Sequence, residues 1–171
     1  AFYRAYNVKT RNLPSTLSSI EEGAFALTDR TLRIDKNNEY FVFESGCLRR
    51  KDKKDLYFGN TKAVINHTVN HILPYAFYGN TGLNSLILPD SVETIGESAF
   101  AHSFLSSLVI PSSVRSMDSM AFAECERLTD ITYQGTNAEW NQIDFGDSVF
   151  SSIPAENVIC KDFVFDLIEE N

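Results

Sequence analysis

The chain has 171 residues, of which 43% are hydrophobic and 22% charged, with a formal net charge of −8 at pH 7. This apolar fraction excludes a disordered chain, and no run of about 18 apolar residues is present to span a membrane. The acidic pI of about 4.8 argues against a general affinity for nucleic acid. Three cysteines without a C-x-x-C pair predict neither a disulfide framework nor a zinc site.

Charge is distributed unevenly along the chain. Residues 1–89 carry 12 Lys and Arg against 8 Asp and Glu, whereas residues 90–171 carry 3 against 15. The first part is net positive and the second strongly net negative, so the two parts offer different electrostatic surfaces to a partner.

An internal repeat dominates the sequence. The dipeptide Ala-Phe occurs five times, and its aromatic residues are Phe2, Phe25, Phe77, Phe100 and Phe122. Four copies share the unit [LI]-P-x-x-[VL]-x-x-[IM]-x-x-x-A-F, with one proline replaced by Asn66. The spacing is 22 or 23 residues except for one interval of 52. Such a period predicts a solenoid of stacked coils, in which the five phenylalanines form one buried column.

Each coil is predicted to contribute a short strand with the L-x-x-L-x-L spacing, as in Leu83-x-x-Leu86-x-Leu88. Since side chains alternate along a strand, the residues between the leucines point outward. We expect this outward face to be the ligand-binding site, with Arg33 included if Leu32 and Ile34 face inward. Its candidate residues are Arg33, Ser85, Ile87, Ser107, Val109, Asp130 and Thr132.

The interval of 52 residues contains an extra segment near 36–62, which predicts a long coil or an inserted hairpin. Residues 39–44 and 55–58 are rich in aromatic and β-branched residues and are typical of strands, with Ser45-Gly46 as a turn. Five positive charges lie in the range Arg49 to Lys54. We interpret this basic cluster as a solvated hairpin tip, and a contact with an anionic ligand is the alternative.

The repeat pattern stops after Tyr133. Thr136 and Glu139 have the spacing of a capping box, which predicts a short helix from Asn137. A last strand is predicted at residues 157–160, and Trp140 is expected in the core of a cap that covers the open edge of the last coil. The acidic tail, residues 162–171, retains apolar residues that could pack on this cap.

Catalytic and metal-binding patterns are weak. His67 and His71 have an i, i+4 spacing, but Thr68 stands where a zinc protease needs glutamate. Neither a nucleophile elbow nor a glycine-rich phosphate loop is present, so we predict no enzyme activity, no cofactor and no metal site. Cys125 and Cys160 are expected to be buried, and Cys47, near the hairpin turn, is expected to be the exposed thiol.

The repeat resembles that of the BspA-like leucine-rich repeat family of bacterial cell-surface proteins, from residue 1 to about 160. Residues 92–100, V-E-T-I-G-E-S-A-F, match the family pattern almost letter for letter. Departures are small, such as Met117 in place of isoleucine and Asp118 in place of glycine. The resemblance implies a leucine-rich-repeat solenoid, a right-handed superhelix of short parallel β-strands, with repeats over 1–134, a C-terminal capping unit over 135–161 and the tail.

Two functions are consistent with this reading. The first is a non-catalytic adhesion or protein–protein interaction module, extracellular or on the cell surface, that binds a host or neighbouring-cell protein as a monomer. The alternative is a structural spacer that positions another domain of a longer chain. The start of the sequence in mid-repeat, at Ala1-Phe2, favours an array with further coils before it.

Overall fold

The structure, a computed structural model, describes residues 10–27 and 31–167. Within these ranges the chain forms fourteen short strands and one helical turn. In chain order the elements are β1 (Thr10–Leu13), β2 (Thr31–Ile34), β3 (Phe41–Glu44), β4 (Cys47–Arg50), β5 (Asp55–Gly59), β6 (His71–Ile72), β7 (Ser85–Ile87), β8 (Thr94–Ile95), β9 (Ser107–Ile110), β10 (Ser116–Met117), β11 (Asp130–Tyr133), α1 (Asn137–Trp140), β12 (Asp144–Phe145), β13 (Asn157–Ile159) and β14 (Val164–Asp166).

The strands fall into three sheets. β7, β9, β11, β13 and β14 form a five-stranded sheet, and β3 to β6 with β8, β10 and β12 form a seven-stranded sheet. β1 and β2 form a separate parallel pair. Antiparallel pairing is confined to β3–β4–β5 and to β13–β14. The protein is a β-solenoid of about six turns with parallel strands, which confirms the predicted fold class.

The sequence repeat becomes the strand register. Ile72 is paired with Ile95 and Ile95 with Met117, so residues 22 or 23 apart lie side by side. All three are buried, as are their counterparts in the five-stranded sheet, which are Leu86, Leu108 and Ile131. Each coil therefore buries its apolar side against the next, as the nearest-neighbour design of a solenoid requires.

A column of stacked phenylalanine rings runs through the turns that connect the two large sheets. The ring centroids of Phe77 and Phe100 are 4.8 Å apart, and those of Phe100 and Phe122 are 5.0 Å apart. The rings are parallel within 8° and fully enclosed. Offset-stacked rings at such distances add to the apolar area that each ring buries.

The backbone of these turns forms a second ladder beside the rings. The Phe77 N–H donates to the Ala99 carbonyl at 2.7 Å, and the Phe100 N–H donates to the Ala121 carbonyl at 2.8 Å. The turn residues on both sides of each phenylalanine, for example Ser98 with φ of 51°, adopt the left-handed region. This strain is offset by hydrogen bonds that satisfy otherwise buried backbone groups.

The column continues beyond the last Ala-Phe. Phe150 stacks on Phe122 with centroids 5.5 Å apart, and the Phe122 N–H donates to the Val149 carbonyl. β12 pairs with β10, and a Cβ on Gly146 would meet the backbone of Ser119. The interpretation that the repeat stops after Tyr133 is therefore wrong for this side of the solenoid. α1 and the residues around it lengthen one coil, and the turn of residues 144–152 resumes the pattern with valine in place of alanine.

The expectation of one column through Phe25 is also wrong. Phe25 belongs to a second apolar cluster with Phe41, Leu48 and Phe58, and its ring centroid lies 5.7 Å from that of Phe58. The inserted hairpin causes this separation because it places Phe58 next to Phe25. Phe2 lies outside the described residues.

The segment near 36–62 forms the expected hairpin, in which β3 and β4 are antiparallel and joined at Ser45-Gly46. It is attached to the first described coil by Asn38, whose Nδ2 donates to the carbonyls of Pro14 and Leu17 at 2.9 Å. The Asn38 side-chain oxygen accepts from the backbone N–H of Phe41 at 2.7 Å. A buried amide with these partners fixes the hairpin against the solenoid.

Three C-terminal expectations are confirmed, namely the capping box, the burial of Trp140 and the last strand. The Thr136 hydroxyl accepts from the Glu139 N–H, and the Glu139 carboxylate accepts from the Thr136 N–H, so both halves of the capping box are present. Trp140 is 2% exposed. β13 forms as expected, and β14 pairs with it so that Phe165, with its centroid 6.3 Å from that of Trp140, packs on the cap.

We expect Phe100→Ala to destabilise the protein by about 3–5 kcal/mol, since it opens a cavity between two stacked rings. Ser107→Ala is the control: it removes an outward-facing hydroxyl, and we expect a change within about 0.5 kcal/mol. Urea unfolding followed by circular dichroism measures both. Equal unfolding free energies for the two variants would contradict the stacked column.

Candidate functional site

The outward face of the five-stranded sheet is formed by alternate residues of its strands. In β7, β9 and β11 the central Leu86, Leu108 and Ile131 are buried, so the residues on either side of them face solvent. The register brings six of the predicted site residues together in two rows that cross the strands. The rows are Ser85–Ser107–Asp130 and Ile87–Val109–Thr132.

The first row is polar and becomes acidic toward the C-terminal end of the solenoid. The Ser107 hydroxyl donates to the Ser85 hydroxyl at 2.7 Å, and the Asp130 carboxylate accepts from the Thr129 hydroxyl at 2.6 Å. The register of β13 and β14 continues this row through Asn157 to Asp166. A partner bound along this row would therefore contact hydroxyl groups at β7 and β9 and carboxylate groups at β11 and β14.

The second row is apolar and longer than the sequence indicated. Ile87 is 67% exposed, and the row continues beyond Thr132 to Ile159 and Val164, which are 51% and 50% exposed. We call the line Ile87–Val109–Thr132–Ile159–Val164 the apolar row. Sequence reasoning missed its last two members because residues 134–156 interrupt the repeat. The pattern of residues 157–160 predicts a strand, but nothing in the sequence shows which other strand pairs with it.

Arg33 is not part of this face. It lies on β2, in the separate two-stranded sheet, where it is paired with Asn12. Arg33 was expected on this face only if Leu32 and Ile34 face inward. Leu32 does so, at 2% exposed, whereas Ile34 is half-buried. Arg33 is itself exposed, but the hairpin segment lies between β2 and β7 in the chain, and the register gives it no place among the two rows.

The basic cluster at the hairpin offers fewer free charges than its composition suggested. Arg49 forms an ion pair with Glu44, and Arg50 forms one with Asp52 at 2.6 Å. The Lys51 ammonium donates to the Asn38 carbonyl at 2.6 Å. Within the described residues, Lys53 and Lys54 form no ion pair, although the charge of Lys53 acts on Asp52. The hydrogen bond to Arg50 also lowers the pKa of Asp52.

The histidines and acidic residues form no metal centre in the part of the chain that the structure describes. The exposed His67 lies 2.8 Å from an oxygen of Asp90, which makes it one half of a surface pair. His71 contacts Thr94 at 3.0 Å, and His102 lies edge-on to Tyr78. No helix among the described residues has the length and apolar character that a membrane span requires.

The cysteine prediction is confirmed at two positions and wrong at one. Cys125 and Cys160 are buried as expected, but Cys47 is only 3% exposed. It lies at the start of β4 beneath the next coil, and its thiol donates to the Val64 carbonyl at 3.5 Å. Loss of hydration on burial raises the pKa of Cys47 to about 12, and burial also raises the pKa of Cys125 and of Cys160.

The coil length, the two sheets and the L-x-x-L-x-L strands define a leucine-rich-repeat array, a class that offers an extended rigid surface for interaction. The model of the BspA-type leucine-rich repeat region matches six copies over residues 1–66 and 54–167. The chain therefore belongs to the BspA-type leucine-rich repeat family. No curated protein matches the chain in sequence.

Three solved structures are similar to this chain, and the first shares its fold. The pneumococcal vaccine antigen PcpA is 23% identical, with a TM-score of 0.78, over 91% of this chain and 39% of that one. A leucine-rich repeat protein from Eubacterium ventriosum is 16% identical (TM-score 0.44, 85% of this chain, 59% of that one). A leucine-rich cell surface protein from Faecalibacterium prausnitzii is 18% identical (TM-score 0.35, 84% and 64%). This chain thus spans less than two thirds of each.

We expect all three thiols to react slowly with a disulfide reagent in the folded protein near pH 8, and rapidly once urea unfolds it, because burial keeps them protonated. Stability should also fall as the pH rises above the ordinary thiol pKa of 9.0, since only the unfolded chain then loses these protons. Absorbance of the released reagent counts the thiols. One fast equivalent in the folded state, lost in Cys47→Ser, would contradict the burial of Cys47.

Proposed function

We propose that this chain is a non-catalytic protein-interaction module of a secreted or cell-surface protein, and that it binds its partner on the outward face of the five-stranded sheet. The proposed binding residues are Ser85, Ile87, Ser107, Val109, Asp130 and Thr132, with the addition of Ile159 and Val164. The partner is a protein of the host or of a neighbouring cell, and the module acts as a monomer. Arg33 is left out of the site because it lies on another sheet.

The apolar row is the observation that carries this proposal. Three of its five side chains, Ile87, Ile159 and Val164, are apolar and yet at least half exposed. The strand register places neighbouring members of the row side by side. Scattered apolar residues on a surface are ordinary, but an aligned set on one rigid sheet is typical of a protein-binding surface. Val64, 64% exposed, occupies the repeat position of Ile87 in the preceding coil and would lengthen the row.

The same face is poorly suited to other ligands. It carries no aromatic side chain on which a sugar ring could stack, and its charge is acidic, which disfavours nucleic acid. Its hydroxyl and carboxylate row offers hydrogen bonds beside the apolar one. An extended protein segment can use both rows together, with apolar side chains on one and polar groups on the other.

The proposed location follows from the family and from the character of its members. The BspA-type family model matches most of this chain, and the resemblance to this family implies a bacterial cell-surface protein. PcpA, which shares the fold, is a vaccine antigen. The alternative is a spacer that holds another domain in position. A sheet face that binds no partner would favour this alternative, since a stack of coils is rigid enough to hold a neighbouring domain in position.

A pull-down from extracellular-matrix extract tests the proposal. We expect Ile87→Glu/Val109→Glu to reduce capture of a ligand by at least about tenfold, because a charge would have to be buried at the interface. The matched control is Tyr40→Glu/Met120→Glu, two apolar residues that are 38% and 43% exposed but lie off this face. Retention of every ligand by the first variant would overturn binding at this face.

Salt dependence separates the sheet face from the hairpin. Binding through Lys53 and Lys54 should weaken steeply between about 0.05 and 0.5 M salt, because the screening length falls below about 10 Å over this range. Binding through the apolar row should change little. A hairpin variant, Lys53→Ser/Lys54→Ser, should leave capture unchanged. If it removes the ligand instead, the hairpin is the site.

A further inference from the structure

An open pocket of about 440 Å³ lies at the carboxyl ends of the central strands of the five-stranded sheet. Its walls include Ser112, Thr132, Gln134, Ile159 and Lys161. Thr132 and Ile159 are also neighbouring members of the apolar row, so the pocket opens directly beside that row. Protein pockets of about 300–1,000 Å³ commonly hold a ligand group with a few convergent polar side chains.

Two polar walls of the pocket are departures from the repeat. Gln134 and Lys161 each lie two residues beyond a member of the apolar row, at the position that Pro89 and Pro111 occupy in the earlier coils. A proline offers no side-chain donor there, whereas glutamine and lysine offer an amide and an ammonium group. The stack itself does not require these groups, since the earlier coils form without them.

The hydroxyl and amide groups of the pocket are available to a ligand. In the part of the chain that the structure describes, no group accepts a hydrogen bond from the side chains of Ser112, Thr132 or Gln134. The hydroxyl of the adjacent Ser113, in contrast, donates to the Val92 carbonyl at 2.7 Å. The donors that face the pocket are therefore not used to hold the coils together.

The pocket also gathers positive charge in the most acidic part of the chain. Residues 90–171 contain three basic residues, of which Lys161 lines the pocket and Arg115 lies beside it. The Arg115 Nη1 donates to the Ser112 carbonyl at 3.4 Å. Among the described residues neither Arg115 nor Lys161 forms an ion pair, although the charges of both act on Glu139.

The carboxylates on the cap next to this pocket already have hydrogen-bond donors. The Glu139 carboxylate accepts from the Thr136 N–H at 2.8 Å, and the Asp162 carboxylate accepts from the Asn137 N–H at 2.8 Å. The hydrogen bonds from Thr136 are the main reason why the pKa of Glu139 is lowered. Lys161 therefore has no direct carboxylate partner, and an anion that enters the pocket would supply one.

We propose that this pocket binds the side-chain carboxylate of a Glu or Asp in the partner, next to the partner's apolar residues that pack on the apolar row. This inference rests on the proposed function, because the pocket and the apolar row share Thr132 and Ile159. A carboxylate accepts several hydrogen bonds, which suits hydroxyl, amide and ammonium donors together.

The face then recognises charge on both sides of the apolar row. The polar row, with Asp130 and Asp166, favours basic residues of the partner on one side. The pocket accepts a single acidic residue on the other side. Once the partner covers it, the new ion pair is screened less than exposed charges are, so the salt dependence of binding stays shallow.

Titration of the full ¹⁵N-labelled chain with short peptides tests the proposal. The probe is acetyl-T-V-E-V-T-amide, and its matched control carries glutamine in place of glutamate. We expect saturable NMR shifts at the backbone amides of Gln134, Ile159 and Lys161. The dissociation constant of the glutamine peptide should be about tenfold higher, because it lacks the charge that strengthens these hydrogen bonds.

Two further probes distinguish the source of the negative charge. The first is the glutamine peptide with a free C-terminal carboxylate, and the second is sodium sulfate. Both should bind more weakly than the glutamate peptide, since neither places a carboxylate beside apolar side chains on both sides.

A pair of variants separates Lys161 from general charge effects. Lys161→Gln should weaken binding of the glutamate peptide at least about fivefold and leave the glutamine peptide unchanged. Lys36→Gln removes the same charge from an exposed residue outside the five-stranded sheet, and it should bind as the unaltered chain does. Circular dichroism of both variants checks that the solenoid remains folded.

Equal affinity of the glutamate and glutamine peptides would overturn the proposal, as would unchanged binding by Lys161→Gln. The absence of saturable shifts at about 20 mM peptide would do the same. Tighter binding of the free-carboxylate peptide or of sulfate would also overturn it, because the pocket would then take a different anion. None of these results decides the proposed function, which depends on capture by Ile87→Glu/Val109→Glu, so the two failures are distinguishable.

Discussion

Stacking of one coil on the next, through parallel backbone ladders and a column of phenylalanine rings, is the interaction on which the rest of this structure depends. A coil of 22 or 23 residues cannot enclose its own apolar side, so each is stable only against its neighbours. The stack fixes the register of both large sheets at once. It also explains why left-handed backbone is tolerated in every connecting turn, since each strained turn gains hydrogen bonds to the next.

The same constraint determines where the chain tolerates extra residues. The β3–β4 hairpin and α1 both enlarge a coil, yet the strands on either side of each insertion keep their parallel neighbours. The hairpin has a greater effect because it brings its own aromatic residues and divides the core into two clusters. The insertion that contains α1 does not interrupt the phenylalanine column. The chain departs from the stack after Tyr133 and rejoins it at Phe145.

The outward face of the five-stranded sheet owes its character to the strand register. The sheet face is fully hydrogen-bonded in its interior, so it offers side chains alone, and their alignment comes from the register. The second half of the chain is strongly acidic, so a basic partner is favoured at the C-terminal end of this face.

The period, the buried positions, the outward alternation and the capped helix could be predicted from the amino-acid sequence, because each depends on neighbours at a fixed offset or within one helical turn. What lies across the irregular segments depends on the folded chain. The tertiary structure buried Cys47, separated Phe25 from the column, placed Phe150 at its end, left Arg33 on another sheet and extended the apolar row to Ile159 and Val164. Where the period is broken, spacing no longer specifies the neighbour, and contacts between distant segments specify it instead.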